Sequence, residues 1–400
     1  MPAYDSYGGG PAVTSRCGFV SGGVLAVSRW LVVLPLLVLP LFGQTPEAPL
    51  AAPAIIGDGW ERETPTASGF DATRLSALLA SAKEREKHLH SVLVERHGRL
   101  VAELYHSGKD ESPYIPFAYR RTFGPTVLHD TRSIGKSLVS LLFGIARQQG
   151  KLGDLATPVI IYFPEYAELA TPERQAITLE HLLTMSSGLA WDEGSGFPDD
   201  ENRLVWKWSP FRYVLSRPLV TAPGSTFRYN SGGTAVLAEA LARATGMPFK
   251  EFARKHLFEP LGISDWEWTS DLHGRPRVYD GLRMRPRDLA KIGRMVLDHG
   301  QWRGRQMVPA DWITASLRPR IRTGFDEVQY GYQWWTDTVS WQGRQLTWSA
   351  AFGHGNQRLF VVPELDLTVV ITAGAYGDDS KTAARRVNAL FKDIVATVLQ

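Results

Sequence analysis

Ser133 and Lys136 stand three residues apart in the segment Thr131 to Gln149, TRSIGKSLVSLLFGIARQQ, which Gly150 ends. At helical spacing their side chains are neighbours on one surface of the first turn. Ile134, Leu138, Leu141, Leu142 and Ile145 make one wide apolar face, and Ser133, Lys136, Ser137, Ser140 and Gly144 fall on the opposite stripe, so burial on both sides is expected. A serine at a helix start feels the positive field of unpaired N–H groups, which favours an alkoxide. A lysine desolvated in an apolar helix has its ammonium disfavoured and can take a proton. Ser-x-x-Lys thus supplies nucleophile and base from one turn. The same spacing also describes a capping serine followed by a solvent-facing lysine. The burial pattern favours the first description, and with no acid within one turn Lys136 needs another partner.

Two further segments carry reactive side chains. Gly224 to Gly233 reads GSTFRYNSGG and precedes the helix-patterned run Thr234 to Thr245, so Tyr229 sits in a loop just before a helix. Beside a lysine, a phenol is expected to lose its proton more easily. Ala351 to Gln357 reads AFGHGNQ directly before the strand-like RLFVV; its glycines let backbone approach a ligand, and the strand after it can aim an N–H into a site.

The elements that must position these residues come from both ends of the chain. Asp71 to Lys87 is helical in pattern behind the N-cap candidate Asp71. Ser91 to Glu95 and Leu100 to Tyr105 flank His97-Gly98-Arg99, and Arg358 to Val362 and Leu367 to Thr372 flank Pro363 to Asp366, which are two hairpin signals. Lys381 to Leu399 is again helical. The expected layout is an α/β (α+β) chain: a sheet layer from about 64–130 and 320–400, flanked by terminal helices, with a mostly helical region inserted over about 131–320.

Taken in order, Ser133-Ile134-Gly135-Lys136, Tyr229-Asn230-Ser231 and His354-Gly355-Asn356 resemble the three motifs of the serine β-lactamase and penicillin-binding-protein superfamily. The likeness is to the class C β-lactamase-related branch, with its esterases and 6-aminohexanoate-dimer hydrolases. LEHLLTMSSGLAWDE (Leu179 to Glu193), MRPRDLAKIGRMVLDHGQWRGRQMVP (Met284 to Pro309) and YGYQWW (Tyr330 to Trp335) are similar to that branch too, and the resemblance runs from about Thr64 to the C-terminus. It implies a β-lactamase/transpeptidase-like antiparallel sheet with a helical region alongside. It also implies that Ser133 is acylated, that Lys136 and Tyr229 form the base system with either as proton acceptor, and that the oxyanion sits between the Ser133 N–H and that of Gln357. Ser231, His354 and Gly355 join Gln357 as the implied oxyanion and substrate-binding set. His354 stands where β-lactamases keep a lysine, so the positive clamp for a β-lactam carboxylate is missing. An ester or small amide is therefore the expected substrate, and a non-catalytic sensor or scaffold binding a peptide or acyl ligand is the alternative.

Composition excludes other classes. With 400 residues, 44% of them hydrophobic, the chain can bury a large core, and 44 basic against 41 acidic side chains leave +3 without a block of like charge, so no nucleic-acid partner is expected. His-Glu-x-x-His and Gly-x-Ser-x-Gly are both absent, and Cys17 is the lone cysteine, so neither a metal nor another cofactor is expected. The acidic loop of Asp192, Glu193, Asp199, Asp200 and Glu201 is expected to be solvated. Trp191, Trp206, Trp208, Trp334 and Trp335 are expected to pack in the core, with a cleft wall as their other use. Residues 1–50 are a separate object: Val24 to Phe42 is strongly apolar, its uncharged part of thirteen residues from Trp30 carries Pro35 and Pro40, and small residues follow. That length suits a secretory signal and leader, hence a periplasmic or secreted hydrolase domain over 64–400, with a membrane anchor at 24–42 as the alternative.

Overall fold

Continuous apolar runs such as SVLVE, RLFVV and LTVVIT leave a strand no polar face to offer water, so such strands need cover on both sides. They find it in a nine-stranded sheet with helices on both faces. The structure is a computed structural model and describes residues 51–110, 119–194, 196–377 and 380–400. Cys17 and the apolar run of the first fifty residues lie outside the described residues, and among the latter no helix is long and apolar enough to cross a membrane.

The sheet strands are β1 (Glu61–Arg62), β2 (Leu89–Arg96), β3 (Arg99–Tyr105), β4 (Ile321–Arg322), β5 (Gln329–Tyr330), β6 (Trp335–Trp341), β7 (Arg344–Gly353), β8 (Gln357–Val362) and β9 (Leu367–Ala373). Their order is β1-β3-β2-β9-β8-β7-β6-β5-β4, antiparallel except for the β1–β3 pair. Both hairpins form where the turn residues predict them: His97 and Gly98 take positive φ between β2 and β3, and Asp366 does so between β8 and β9. Terminal helices α1 (Ala72–Arg85) and α5 (Ser380–Val395) cover one face. There Leu75, Leu79, Val387 and Phe391 pack with Val92, Val94, Phe360 and Ile371. Phe360 and Phe391 stack with centroids 3.9 Å apart.

The alternate residues Leu93, Leu359, Val361 and Val370 belong to a second cluster with α2 (Ile134–Gln148) and α4 (Pro286–Leu297). Helix α4 lies within the stretch expected to form the inserted helical region, yet it packs on β2, β8 and β9. Its buried cations explain the placement. Arg287 is ion-paired with Glu103 of β3 and with Asp58, and Arg294 reaches Glu95 of β2. The inserted region is completed by α3 (Ser231–Thr245), several shorter helices and a three-stranded sheet of His129–Asp130, Leu282–Met284 and Trp266–Trp268.

Candidate active site

Helix α2 begins abruptly. The strand His129–Asp130 pairs with Leu282–Met284, the Thr131 N–H and hydroxyl both donate to the Leu282 carbonyl, and Arg132 turns the chain at φ 51°. Ser133 therefore enters the helix without spending its hydroxyl on a cap hydrogen bond. Lys136 is 1% exposed and spends its amine inside the protein: Nζ lies 2.7 Å from Ser133 Oγ and 2.9 Å from the Tyr279 carbonyl oxygen. The capping-serine, solvated-lysine description is thus excluded by geometry.

Tyr229 comes from the loop before α3. Its ring lies 4.9 Å from Lys136 Nζ, and its hydroxyl is in hydrogen-bonding contact with Ser133. Trp335 of β6 stacks on that ring, with centroids 5.7 Å apart. An alcohol, an amine and a phenol from distant parts of the chain therefore meet at one point. The phenol does not behave as its cationic neighbour suggests. Withdrawal of the hydroxyl from water, reinforced by the charge of Glu193, pushes Tyr229 well above the usual phenol value, so it rests as a neutral phenol.

One buried amide ties these elements together. Gln333 has φ 64° and no exposed surface; its main-chain carbonyl accepts from Ser137 Oγ of α2 at 2.6 Å, its side-chain oxygen accepts from Thr234 of α3 at 3.0 Å, and its amide nitrogen donates to the Leu182 and Leu183 carbonyls. It sits in YGYQWW, but which helices it joins depends on the tertiary arrangement.

The remaining sequence candidates are placed differently. Ser231 opens α3 behind the Asn230 cap and is fully buried; its hydroxyl contacts Glu193 Oε1 at 2.6 Å and Glu201, so it serves this carboxyl pair. Gln357 is fully buried, its side chain bonded to the Ala373 backbone and the His354 carbonyl, which locks the end of β8 to β9. Gly355 has φ 79° and bridges Ala375. His354 sits edge-on to Tyr376, and burial holds its imidazole neutral, down to about 2, so it supplies no cation in place of the lysine.

Gly353 is a residue the sequence reasoning passed over. It is the last residue of β7, and a Cβ there would overlap the Thr131 carbonyl oxygen and crowd Arg132. Only glycine lets the strand end run against the chain that leads into Ser133. A glycine closing an otherwise apolar strand was the available signal.

The acidic loop also departs from expectation. Asp199 caps the short helix Asp200–Leu204, and Asp200 is buried and paired with Arg217. Glu193 accepts from Ser231 N and Trp191 Nε1, at 3.0 and 2.8 Å. Of the five acids only Asp192 is exposed. The carboxylates escape the usual cost of burial because the loop folds back on the start of α3, where N–H and O–H donors are available. Trp191, Trp334 and Trp335 are core residues, as expected, whereas Trp206 and Trp208 are 46% and 80% exposed. Among the described residues no cluster of three or more metal-ligating side chains occurs.

Comparison with known proteins agrees with the geometry. The Beta-lactamase family model matches residues 83–391. The chain belongs to the Beta-lactamase family, and it is a serine hydrolase of that superfamily. It is 26% identical over 335 residues to the 6-aminohexanoate-dimer hydrolase of Paenarthrobacter ureafaciens, covering 77% of this chain and 80% of that one. Its fold is that of a class C β-lactamase from Rhodobacter sphaeroides, with TM-score 0.60 and 17% identity over 81% of this chain and 99% of the other. It is equally similar to a hydrolase with promiscuous acyltransferase activity, with TM-score 0.60 and 15% identity over 82% and 100% of the two chains.

Proposed function

We propose that this protein is an exported hydrolase that cleaves ester or small linear amide bonds through an acyl-enzyme on Ser133. The observation that carries the reading is the 2.7 Å contact between Lys136 Nζ and Ser133 Oγ, with the Tyr229 hydroxyl on the same oxygen. Attack by Ser133 Oγ on the acyl carbon moves the hydroxyl proton into the Lys136–Tyr229 pair and places negative charge on the carbonyl oxygen. The Ser133 N–H and the N–H of Gln357, at the turn beyond Gly353, are the donors assigned to that oxygen. With His354 neutral, the residues of the third motif themselves offer a substrate carboxylate no cation in place of the lysine, which favours uncharged esters and linear amides over β-lactams. The named activity of the Paenarthrobacter relative, on a 6-aminohexanoate dimer, supports the same class. Export rests on the apolar run from Val24 to Phe42.

The test is direct. Ser133→Ala is expected to abolish turnover of short-chain p-nitrophenyl esters while leaving the thermal midpoint nearly unchanged, and a fluorophosphonate probe is expected to add to Ser133 of the wild-type protein. Full activity in that variant, or an adduct on another residue alone, refutes the reading. Fractionation of the expressing cells tests export.

A further inference from the structure

Glu193 and Glu201 form a proton-counting problem that the catalytic triplet leaves unused. Ser231 Oγ carries one proton, yet it lies within hydrogen-bond reach of an oxygen of each carboxyl, and the two carboxyls also hydrogen-bond each other. The serine's one proton cannot fill its contacts with both carboxyls, and two ionised carboxyls have no proton to place between them. One carboxyl must be protonated. Glu193 has the better claim to the charge, since its Oε2 takes the Ser231 N–H at the start of α3 and the Trp191 indole N–H. Glu201 makes no such contacts with N–H groups among those described, which leaves it the proton.

The charged and titratable groups facing this pair come from every neighbouring element. They are Lys136 of α2, Tyr229, Tyr330 of β5, and Tyr279 with Asp280, the last held by Arg277. Lys136 is the basic group that, once protonated, acts on both carboxyls.

We infer that Glu193 and Glu201 share a single proton, held on Glu201, and that the one charge left on Glu193 is the counter-ion of the ammonium Lys136 becomes during acylation. In that step the Ser133 proton passes to the Lys136 amine, a bond forms from Oγ to the acyl carbon, and the carbonyl π pair moves onto oxygen. On collapse the bond to the leaving group breaks, and the proton returns to that group. The same charge disfavours a phenolate at Tyr229, so Lys136 takes the proton and Tyr229 relays it as a neutral phenol. Burial and the neighbouring carboxylate push Glu201 up to about 7, whereas for Glu193 the cost of burial is outweighed by the hydrogen bonds of Glu201 and Ser231, which hold it below the usual range. The counter-ion role rests on the acyl-enzyme reading; the proton count does not.

Two measurements keep them apart. In Ser133→Ala protein carrying carboxyl-13C glutamate, one carboxyl in addition to that of Glu95 is expected to titrate near pH 7 and to vanish in Ser133→Ala/Glu201→Gln. Glu95, which burial also pushes to about 7, is the internal control. In otherwise wild-type protein, Glu201→Gln is expected to remove the inflection near pH 7 from the kcat/KM profile. Glu193→Gln is expected to lower kcat about 10- to 100-fold at an unchanged thermal midpoint, with partial recovery in Glu193→Asp. Absence of the extra titrating carboxyl overturns the shared proton. Its presence together with wild-type pH profiles and kcat in both glutamine variants overturns the counter-ion role. A wild-type protein inert to esters and to the fluorophosphonate refutes the hydrolase reading and the counter-ion role together, while the 13C titration still decides the proton.

Discussion

Lys136 and Tyr229 divide the proton between them according to their surroundings. Lys136 Nζ is held by contacts with two oxygens, Ser133 Oγ and the Tyr279 carbonyl to which it donates, so its nitrogen lies against Ser133 before any substrate arrives. Tyr229 is packed against Trp335 and Lys136, and its surroundings keep it a phenol. Removing only the hydroxyl leaves that packing intact. Tyr229→Phe is therefore expected to lower kcat for a short-chain ester about 10²- to 10³-fold, the range of one lost general acid–base group, with the thermal midpoint within a few degrees of wild type. Steady-state kinetics beside a calorimetric scan check this; a variant within twofold of wild type removes Tyr229 from the reaction.

At the level of elements, the proposed catalysis depends on how closely the end of β7 approaches the entry to α2. Gly353 lets the strand meet Thr131 and Arg132 without a side chain between them, and Gln333 clamps α2 to α3 from within. Gly353→Ala is expected to push the strand end away from Ser133. A displacement near 1 Å at an oxyanion donor costs about 10²-fold in kcat, with KM less affected, and kinetics on the folded variant test this. The clamp between α4 and the sheet is tested separately. Glu103 accepts twice from Arg287, at 2.8 and 2.7 Å, in a site where both side chains are almost fully buried. Glu103→Ala leaves the guanidinium with Asp58 as its only remaining carboxylate and is expected to cost about 3 kcal/mol in a urea titration.

For the whole molecule, acid bears on a buried histidine pair. His90 and His129 are each 1% exposed and are joined Nδ1 to Nε2 at 2.8 Å. Burial lowers them from 6.5 to about 2 and about 4. The unfolded chain therefore binds protons below pH 6.5 that the native state does not, so stability present above 6.5 is lost as pH falls toward these folded values. From pH 7 to pH 5 the pair is expected to withdraw roughly 2–4 kcal/mol, read as a drop in the urea midpoint. In His90→Gln/His129→Gln that pH dependence is expected to shrink whatever the starting stability; an unchanged slope assigns the acid sensitivity elsewhere.

Local patterning determined much of this protein. Hairpin turns, terminal helices and the two-sided α2 follow from side-chain periodicity and from residues that accept positive φ, which act over a few positions. Ser133 next to Lys136 follows in the same way, because one helical turn decides it. Contacts across long loops obey no such period. That Tyr229 reaches Ser133, that Ser231 serves a carboxyl pair, that α4 joins the sheet through Arg287 and Arg294, and that the loop bearing Glu193 and Glu201 folds inward were decided only when distant segments competed for the same donors and the same buried space. A charged side chain in a sequence carries no mark of whether water or another part of the chain will satisfy it.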